Sequence, residues 1–327
     1  MATAADPETT FKLASDTEIV IQRRFDAEPA LVFRAHTDPK LVARWWGPRG
    51  FETLVEKMEV RPGGSWRFAQ KGPDGAEHAF HGEYLEVVPD RGLTRTSEYE
   101  GMPGHVLEET ATFEPEGGGT LLTLSVRFAG RQDRDGMLRS GMEPGARQSL
   151  ERLEESLAGL AGREFVIERV FDAPRELVFK AWTDPGHLAR WFGPKGAAVK
   201  HAKADLRPGG VLHTRMATSD GGEMWGKMAY REINPPSRLV YLNSFSDEAG
   251  GLTRHPMSPT WPLEMLTTVT FTPEGAGTRI TLQWAPFRAT AQERAAFDAA
   301  FDSMTGGWTG SFDQLDEYLT HMKGGAR

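Results

Sequence analysis

Between Glu18 and Phe25 apolar and polar residues alternate with a period of two, which predicts a strand. Asp26-Ala27-Glu28-Pro29 then opens a short helix with Leu31, Val32 and Ala35 on one side, and Thr37-Asp38-Pro39 starts a second. Asp accepts from free N–H groups at a helix start, and proline is tolerated at the first helical position. The device recurs as Thr183-Asp184-Pro185, and the short helices are expected to end at Gly47-Pro48 and Gly193-Pro194. Strands follow at Val55–Val60, Trp66–Gln70, Ala79–Val88, Leu107–Phe113 and Thr120–Phe128. The turn signals between them are Arg61-Pro62-Gly63-Gly64, Asp74-Gly75 and Gly117-Gly118-Gly119. Hairpins in sequence, without helical crossovers, make an antiparallel meander.

A different period closes the chain. Phe297, Phe301, Met304, Trp308, Phe312, Leu315 and Leu319 recur at helical spacing as one apolar stripe. Thr290 to Glu293 has the form of a capping box at its start. Gly306-Gly307 should bend or split this helix, at roughly 1 kcal/mol per glycine relative to alanine. The equivalent helix upstream carries Gly141, Pro144 and Gly145, which should delay its start to about Pro144.

The two halves are copies. Glu18–Gly50 and Glu164–Gly196 share 20 of 33 residues at a constant offset of 146. That offset also pairs Arg61-Pro62-Gly63-Gly64 with Arg207-Pro208-Gly209-Gly210, and Glu86-Val87-Val88-Pro89 with Glu232-Ile233-Asn234-Pro235. It grows to 158 at Phe113 and Phe271, and to 162 where Leu150, Leu153 and Leu157 meet Phe312, Leu315 and Leu319. The second copy therefore carries an insertion within Ser244–Pro262. Each copy is long enough to bury its own core, so this is a tandem domain duplication. The expected division is a tail over 1–16, domains at 17–158 and 163–320, and a tail over 321–327. Only Leu157 to Arg163 joins the domains, too short a link for independent tumbling.

The predicted class is α+β: in each copy a curved antiparallel sheet wraps a long C-terminal helix, with two short helices after the first strand. Such a sheet cannot fill its concave side completely, and the cavity left suits small apolar or amphipathic ligands.

Composition narrows the chemistry. The 327 residues are 39% hydrophobic and 26% charged, as in ordinary globular protein. The absence of cysteine excludes disulfides, thiolate metal sites and cysteine nucleophiles. A net charge of −8 argues against nonspecific binding to nucleic acid or an anionic membrane. No apolar run is long enough for membrane insertion, and Met1–Thr10 does not read as an export signal, so a cytoplasmic location is expected.

Three stretches carry a resemblance. Phe171 to Gly196, the Arg207–Gly210 hairpin, and Gly307-Trp308 followed by Phe312 and Leu315 resemble the SRPBCC, or START-type helix-grip, superfamily. Within it they are most similar to the family named after the C-terminal domain of activators of the heat-shock-protein-90 ATPase. The resemblance implies two tandem helix-grip domains. It also implies one of the superfamily's roles: ligand carriage, a chaperone-directed interaction, or cyclase- or hydrolase-like catalysis. Ala146 stands where the second copy has Trp308.

The leading expectation is a small hydrophobic or amphipathic ligand held between sheet and helix, better in the second repeat. Trp308, Trp284, Met304, Phe301, Met216 and Trp261 would line it there, with Trp66 and Phe68 in the first repeat. Trp182 and Trp191, on the short helices, are expected to pack the opening of the sheet. The inserted segment, with His255 and Trp261, could close over the mouth. Glu109 interrupts the alternation of Leu107, Ala111 and Phe113 and is matched by Thr267. Facing the cavity it could act as acid, base or anchor; at a twisting strand end it would be solvated. His78 and His81 point to opposite faces of a strand and cannot share an ion. His213 and Arg215 are expected to be solvated. No metal site, phosphate loop, nucleophile elbow or cofactor is expected.

Overall fold

The computed structural model describes residues 9–193, 196–217 and 222–324, and the chain divides into units Met1–Ala161 and Gly162–Arg327. The first unit begins with strands β1 (Thr10–Ser15) and β2 (Glu18–Phe25) and the short helices α1 (Pro29–Thr37) and α2 (Pro39–Trp45). Six strands follow: β3 (Glu52–Met58), β4 (Ser65–Lys71), β5 (Glu77–Val88), β6 (Gly92–Tyr99), β7 (Leu107–Glu116) and β8 (Gly119–Arg127). Helices α3 (Arg131–Arg139) and α4 (Met142–Leu160) close it. The second unit has β9 (Phe165–Phe171), α5 (Arg175–Thr183), α6 (Pro185–Leu188), β10 (Ala198–Ala204), β11 (Val211–Ala217), β12 (Glu223–Asn234) and β13 (Arg238–Ser246). It continues with β14 (Leu252–Thr253), β15 (Glu264–Glu274), β16 (Gly277–Phe287), α7 (Ala291–Ala299) and α8 (Phe301–Gly324).

Both sheets are antiparallel. Their orders are β1-β2-β8-β7-β6-β5-β4-β3 and β10-β11-β12-β13-β15-β16-β9, with β14 beside β13. The class is α+β, with the helix-grip plan present twice.

Matching contacts explain why the two halves fold alike. Asp38 accepts from the Lys40 N–H at 2.9 Å, and Asp184 from the Gly186 N–H at 2.8 Å, so each second short helix is capped as expected. The indole N–H groups of Trp45 and Trp191 each donate across 2.9 Å, to the Ala35 and Ala181 carbonyls. Thr120 and Thr278, both fully buried, donate to the Ala27 and Ala173 carbonyls at 2.6 and 2.8 Å. A bulge falls between Tyr84 and Glu86 and again between Tyr230 and Glu232, bending both sheets at the same place. Leu150, Leu153 and Leu157 of α4 pack on one face of the first sheet, and Trp308, Phe312, Leu315 and Leu319 of α8 on one face of the second. These are the inner faces.

Several expectations need correction. Residues 10–15 are a strand on β2 rather than a tail, so in the first unit the short helices follow the second strand; Met1–Glu8 lie outside the described residues. The pattern hid β1 because five of its six residues are exposed. At the other end α8 runs through Gly324, and 325–327 lie outside the described residues. The short helix α6 stops at Leu188, well before Gly193, and Pro194 lies outside the described residues.

Each unit closes with two helices. In the second the break falls at Ala300, whereas Gly306 and Gly307 lie inside α8 without interrupting it. Both glycines face outward, and burial of Met304 and Trp308 on the inner side, at roughly 1.5–3 kcal/mol each, outweighs their helix penalty. The capping box at Thr290 and Glu293 is present. In the first unit α3 was unanticipated because its residues are almost all polar; it is held by buried Arg134, which donates to the Ser15 carbonyl at 2.7 Å. The insertion extends β13 into a hairpin with β14 and then packs against α7. Arg254 pairs with Glu293, and the Trp261 ring lies 5.7 Å from that of Phe297.

Candidate functional site

One row of cross-strand neighbours traverses each inner face. In the second unit it runs Tyr230, Tyr241, Thr267, Trp284, Phe165. In the first it runs Tyr84, Arg95, Glu109, Val126, Ile19. The same register thus carries different chemistry in the two copies.

The second row is aromatic. The Trp308 ring of α8 meets Trp284 edge-on at 5.4 Å and lies nearly parallel to Trp182 of α5 at 6.1 Å. Trp182 also contacts Trp191 at 4.9 Å and Phe271 at 5.9 Å, so it belongs to the buried centre rather than to an opening. Trp191 is equally buried. The Trp182 Nε1–H and the Thr267 hydroxyl lie close to the Tyr241 hydroxyl without closing a hydrogen bond of ordinary geometry. Buried Trp284 Nε1 likewise has no partner among the described residues. Burial pushes the Tyr230 hydroxyl up to about 12 and raises that of Tyr241 further, so both are neutral donors.

The other expected pocket residues divide into groups. Met304 is buried one turn before Trp308. Phe301 packs on Phe165 and Phe297, and Trp261 on Phe297 and His255, which places these two at the α7 end. Met216 fills the space beside Gly193, whose φ of 118° favours glycine. Trp225 faces the other way. It stacks on His213 at 4.8 Å and lines, with Lys200, His201, Arg215 and Glu248, an outer groove of about 360 Å³.

The first row is polar. Trp66 and Phe68 are fully buried and form its floor, with the Arg95 guanidinium 4.3 Å above the Trp66 ring and 5.7 Å from that of Phe68. Arg95 Nε and Nη2 both lie 2.8 Å from Glu109 Oε2. Glu109 therefore faces inward and is ion-paired, with 31% of its side chain exposed against 13% for Arg95. The Tyr84 hydroxyl points toward Arg95 but finds no hydrogen-bond partner of ordinary geometry among the described residues, on a residue with no exposed surface.

His36 of α1 joins this group. Its Nδ1 donates to the Val32 carbonyl at 2.8 Å, which leaves the lone pair on Nε2. That atom is buried and has no partner among the described residues. Burial lowers the His36 pKa to about 4, with the Arg95 charge acting in the same direction. The sequence reading singled out Glu109 but missed His36, Tyr84 and Arg95. The signal was in the repeat: at the 146 offset His36 is matched by Trp182 and Arg95 by Tyr241.

His78 donates to or accepts from the Tyr99 hydroxyl at 2.9 Å, while His81 lies 3.5 Å from Glu98 and from Glu100. Among the described residues no cluster of three or more histidines and carboxylates could hold a metal ion. No described helix is long and apolar enough to cross a membrane.

Comparison with known proteins identifies a family. No curated protein matches the chain. Among solved structures, a Chromobacterium violaceum protein is 30% identical over 42% of this chain and 95% of its own, with a TM-score of 0.39. A Rhodobacter sphaeroides protein is 27% identical over 47% of this chain and 99% of its own, at 0.44. The di-domain ARO/CYC BexL, from the BE-7585A biosynthetic pathway, spans 92% of this chain and 98% of its own at 15% identity and 0.44. The model of the activator of Hsp90 ATPase homolog 1-like family matches twice, at residues 26–158 and 172–320. The chain belongs to that family and carries its domain in tandem.

Proposed function

We propose that the second unit binds a small apolar or amphipathic molecule on its inner face, against Trp182, Trp284 and Trp308. The observation that carries this reading is the set of unpaired polar groups among those rings. Among the described residues Trp284 Nε1 is buried without a hydrogen-bond partner, and Trp182 Nε1 and Thr267 Oγ1 meet the Tyr241 hydroxyl without ordinary hydrogen-bond geometry. Leaving such a group unsatisfied costs about 1–3 kcal/mol, so an acceptor presented by a bound molecule would recover that energy. The ligand chemistry this favours is a flat or chain-like apolar body carrying a carbonyl, ether or hydroxyl oxygen.

Native mass spectrometry of the purified chain, followed by calorimetry with fatty acids, sterols and aromatic ketones, tests the reading. Retention of a ligand that is lost on Trp308→Ala is the expected result; no retained class at micromolar concentration would sink it. The reading also expects no stimulation of the ninety-kilodalton chaperone's ATPase. Stimulation would favour the interaction role that the family's name carries.

A further inference from the structure

We infer that the outer groove of the second unit binds a small aromatic zwitterion, a flat ring carrying a carboxylate at one end and an ammonium at the other. The groove lies on the face of the sheet turned away from Trp308 and shares no residue with the inner-face reading, so it does not depend on it.

Its residues form one cross-strand row. His201, Arg215, Trp225 and Ser246 are successive neighbours on β10, β11, β12 and β13. Lys200, at the bulge of β10, stands at one end of the groove, and Glu248, just beyond β13, at the other. The two end strands are three strand spacings apart, about 14 Å, and both side chains reach inward across that span. Neither has an ion-pair partner among the described residues. Between them lies the Trp225 ring, with the Arg215 guanidinium 5.8 Å from its centroid and His213 stacked on it at 4.8 Å.

The acidic end is fixed in advance. His213 Nε2 donates to the Asp247 carbonyl at 3.2 Å and Lys227 Nζ to the Gly250 carbonyl at 2.9 Å, while the Asp247 side chain accepts from the Gly251 N–H at 2.7 Å. The turn that carries Glu248 is therefore ordered before a ligand arrives, which lowers the cost of binding. At the basic end Arg215 lies 3.4 Å from Glu223, and its buried Nε has no partner among the described residues.

Opposite charges at the two ends define the ligand. A simple aromatic anion would satisfy Lys200 and leave Glu248 without a countercharge. A phosphate dianion would meet Glu223 and Glu248 as well. A ring charged oppositely at its two ends pairs both and lies against Trp225. The first unit cannot duplicate the groove. Ala69 and Ala79 stand at the positions of Arg215 and Trp225, and the insertion that carries Glu248 is missing there.

Nuclear magnetic resonance titration of the full chain with 4-(aminomethyl)benzoate provides the test. It reads the indole N–H signals, that of Trp225 being identified by its loss in Trp225→Phe. The Trp225 signal should shift saturably, with an affinity about threefold or more above those of benzoate and benzylamine, the scale of exposed charge pairs. Glu248→Gln should erase the advantage over benzoate, and Lys200→Gln the advantage over benzylamine. Both residues are exposed, so neither substitution disturbs the fold. Trp308→Ala should change nothing. No shift of the Trp225 signal at millimolar probe, equal affinity for the three probes, or an advantage that survives either substitution overturns the inference. So does binding lost in Trp308→Ala, which would put the probe on the inner face instead.

Discussion

Arg23 Nη2 donates to Glu154 Oε2 across 2.6 Å, with both side chains shielded from solvent. The matching Arg169 reaches Asp313 at 2.5 Å and Asp316 at 3.7 Å, but all three partners are substantially exposed. Strand β1 makes the difference. It runs alongside β2, and Thr9, just before it, accepts from Arg23 Nη1 at 2.8 Å, whereas β9 is the edge of its sheet. Arg23→Met should cost about 3–5 kcal/mol, because it breaks a buried ion pair by removing one of its two charges. Arg169→Met should cost less than about 1 kcal/mol. Urea unfolding of the full chain, with hydrogen exchange read separately in each unit, checks the contrast.

Acid should act on the first unit through His36. Its folded pKa, about 4, lies below the ordinary value of 6.5, so between these the unfolded chain binds the extra proton. The stabilisation from burying the neutral ring is complete above pH 6.5 and is lost progressively as the pH falls toward 4. The contribution is at most about 3 kcal/mol. Comparing His36→Phe with the parent at pH 7 and pH 4.5 isolates it: the parent should lose more stability between the two than the variant. Equal losses would remove His36 from the acid response.

Thr120 and Thr278 should be equally important. Each is fully buried, and each hydroxyl holds the turn before the first short helix through one carbonyl. Substitution by valine preserves shape and should cost about 1–2 kcal/mol in either unit, measurable as a lowered denaturation midpoint. A large asymmetry would mean that the two turns are held by something else.

Gly82 and Met228 occupy the same register and should respond oppositely to size. Gly82 faces Trp66 across the strands, and a Cβ there would lie 2.0 Å from the Thr96 carbonyl oxygen. In the second unit the corresponding pair is Met228 and Leu212. Gly82→Ala should therefore destabilise by about 1–3 kcal/mol through overpacking. Met228→Ala should cost about 2–5 kcal/mol through a cavity. Thermal melts of the two variants test both directions.

The duplication, most strands and the capped short helices were legible because they rest on local chemistry: alternation, Asp-Pro starts and glycine turns. What escaped depended on partners distant in sequence. Strand β1 has one partly buried face residue, Phe11, whose ring lies under the Arg147 guanidinium at 4.7 Å. The break at Ala300 has no glycine or proline to mark it. Arg95 lies in the run Thr94-Arg95-Thr96-Ser97, whose polarity reads as a solvated strand until Glu109 is found beside it. Aromatic residues were easier to place than to group. Trp284 and Trp308 do meet, whereas Trp261 and Phe301 gather around Phe297.

The polar row of the first unit has a further consequence, for how one half could be turned into the other. Arg95 and Glu109 are direct cross-strand neighbours, close enough that each sets the environment of the next. Arg95→Tyr alone would leave a carboxylate with no counterion, and Glu109→Thr alone would leave a guanidinium over Trp66 with none. Either single step passes through a less stable protein, while the double change reaches the tyrosine–threonine pair already found at Tyr241 and Thr267. The two halves are thus separated by a barrier in sequence space that only paired substitution crosses.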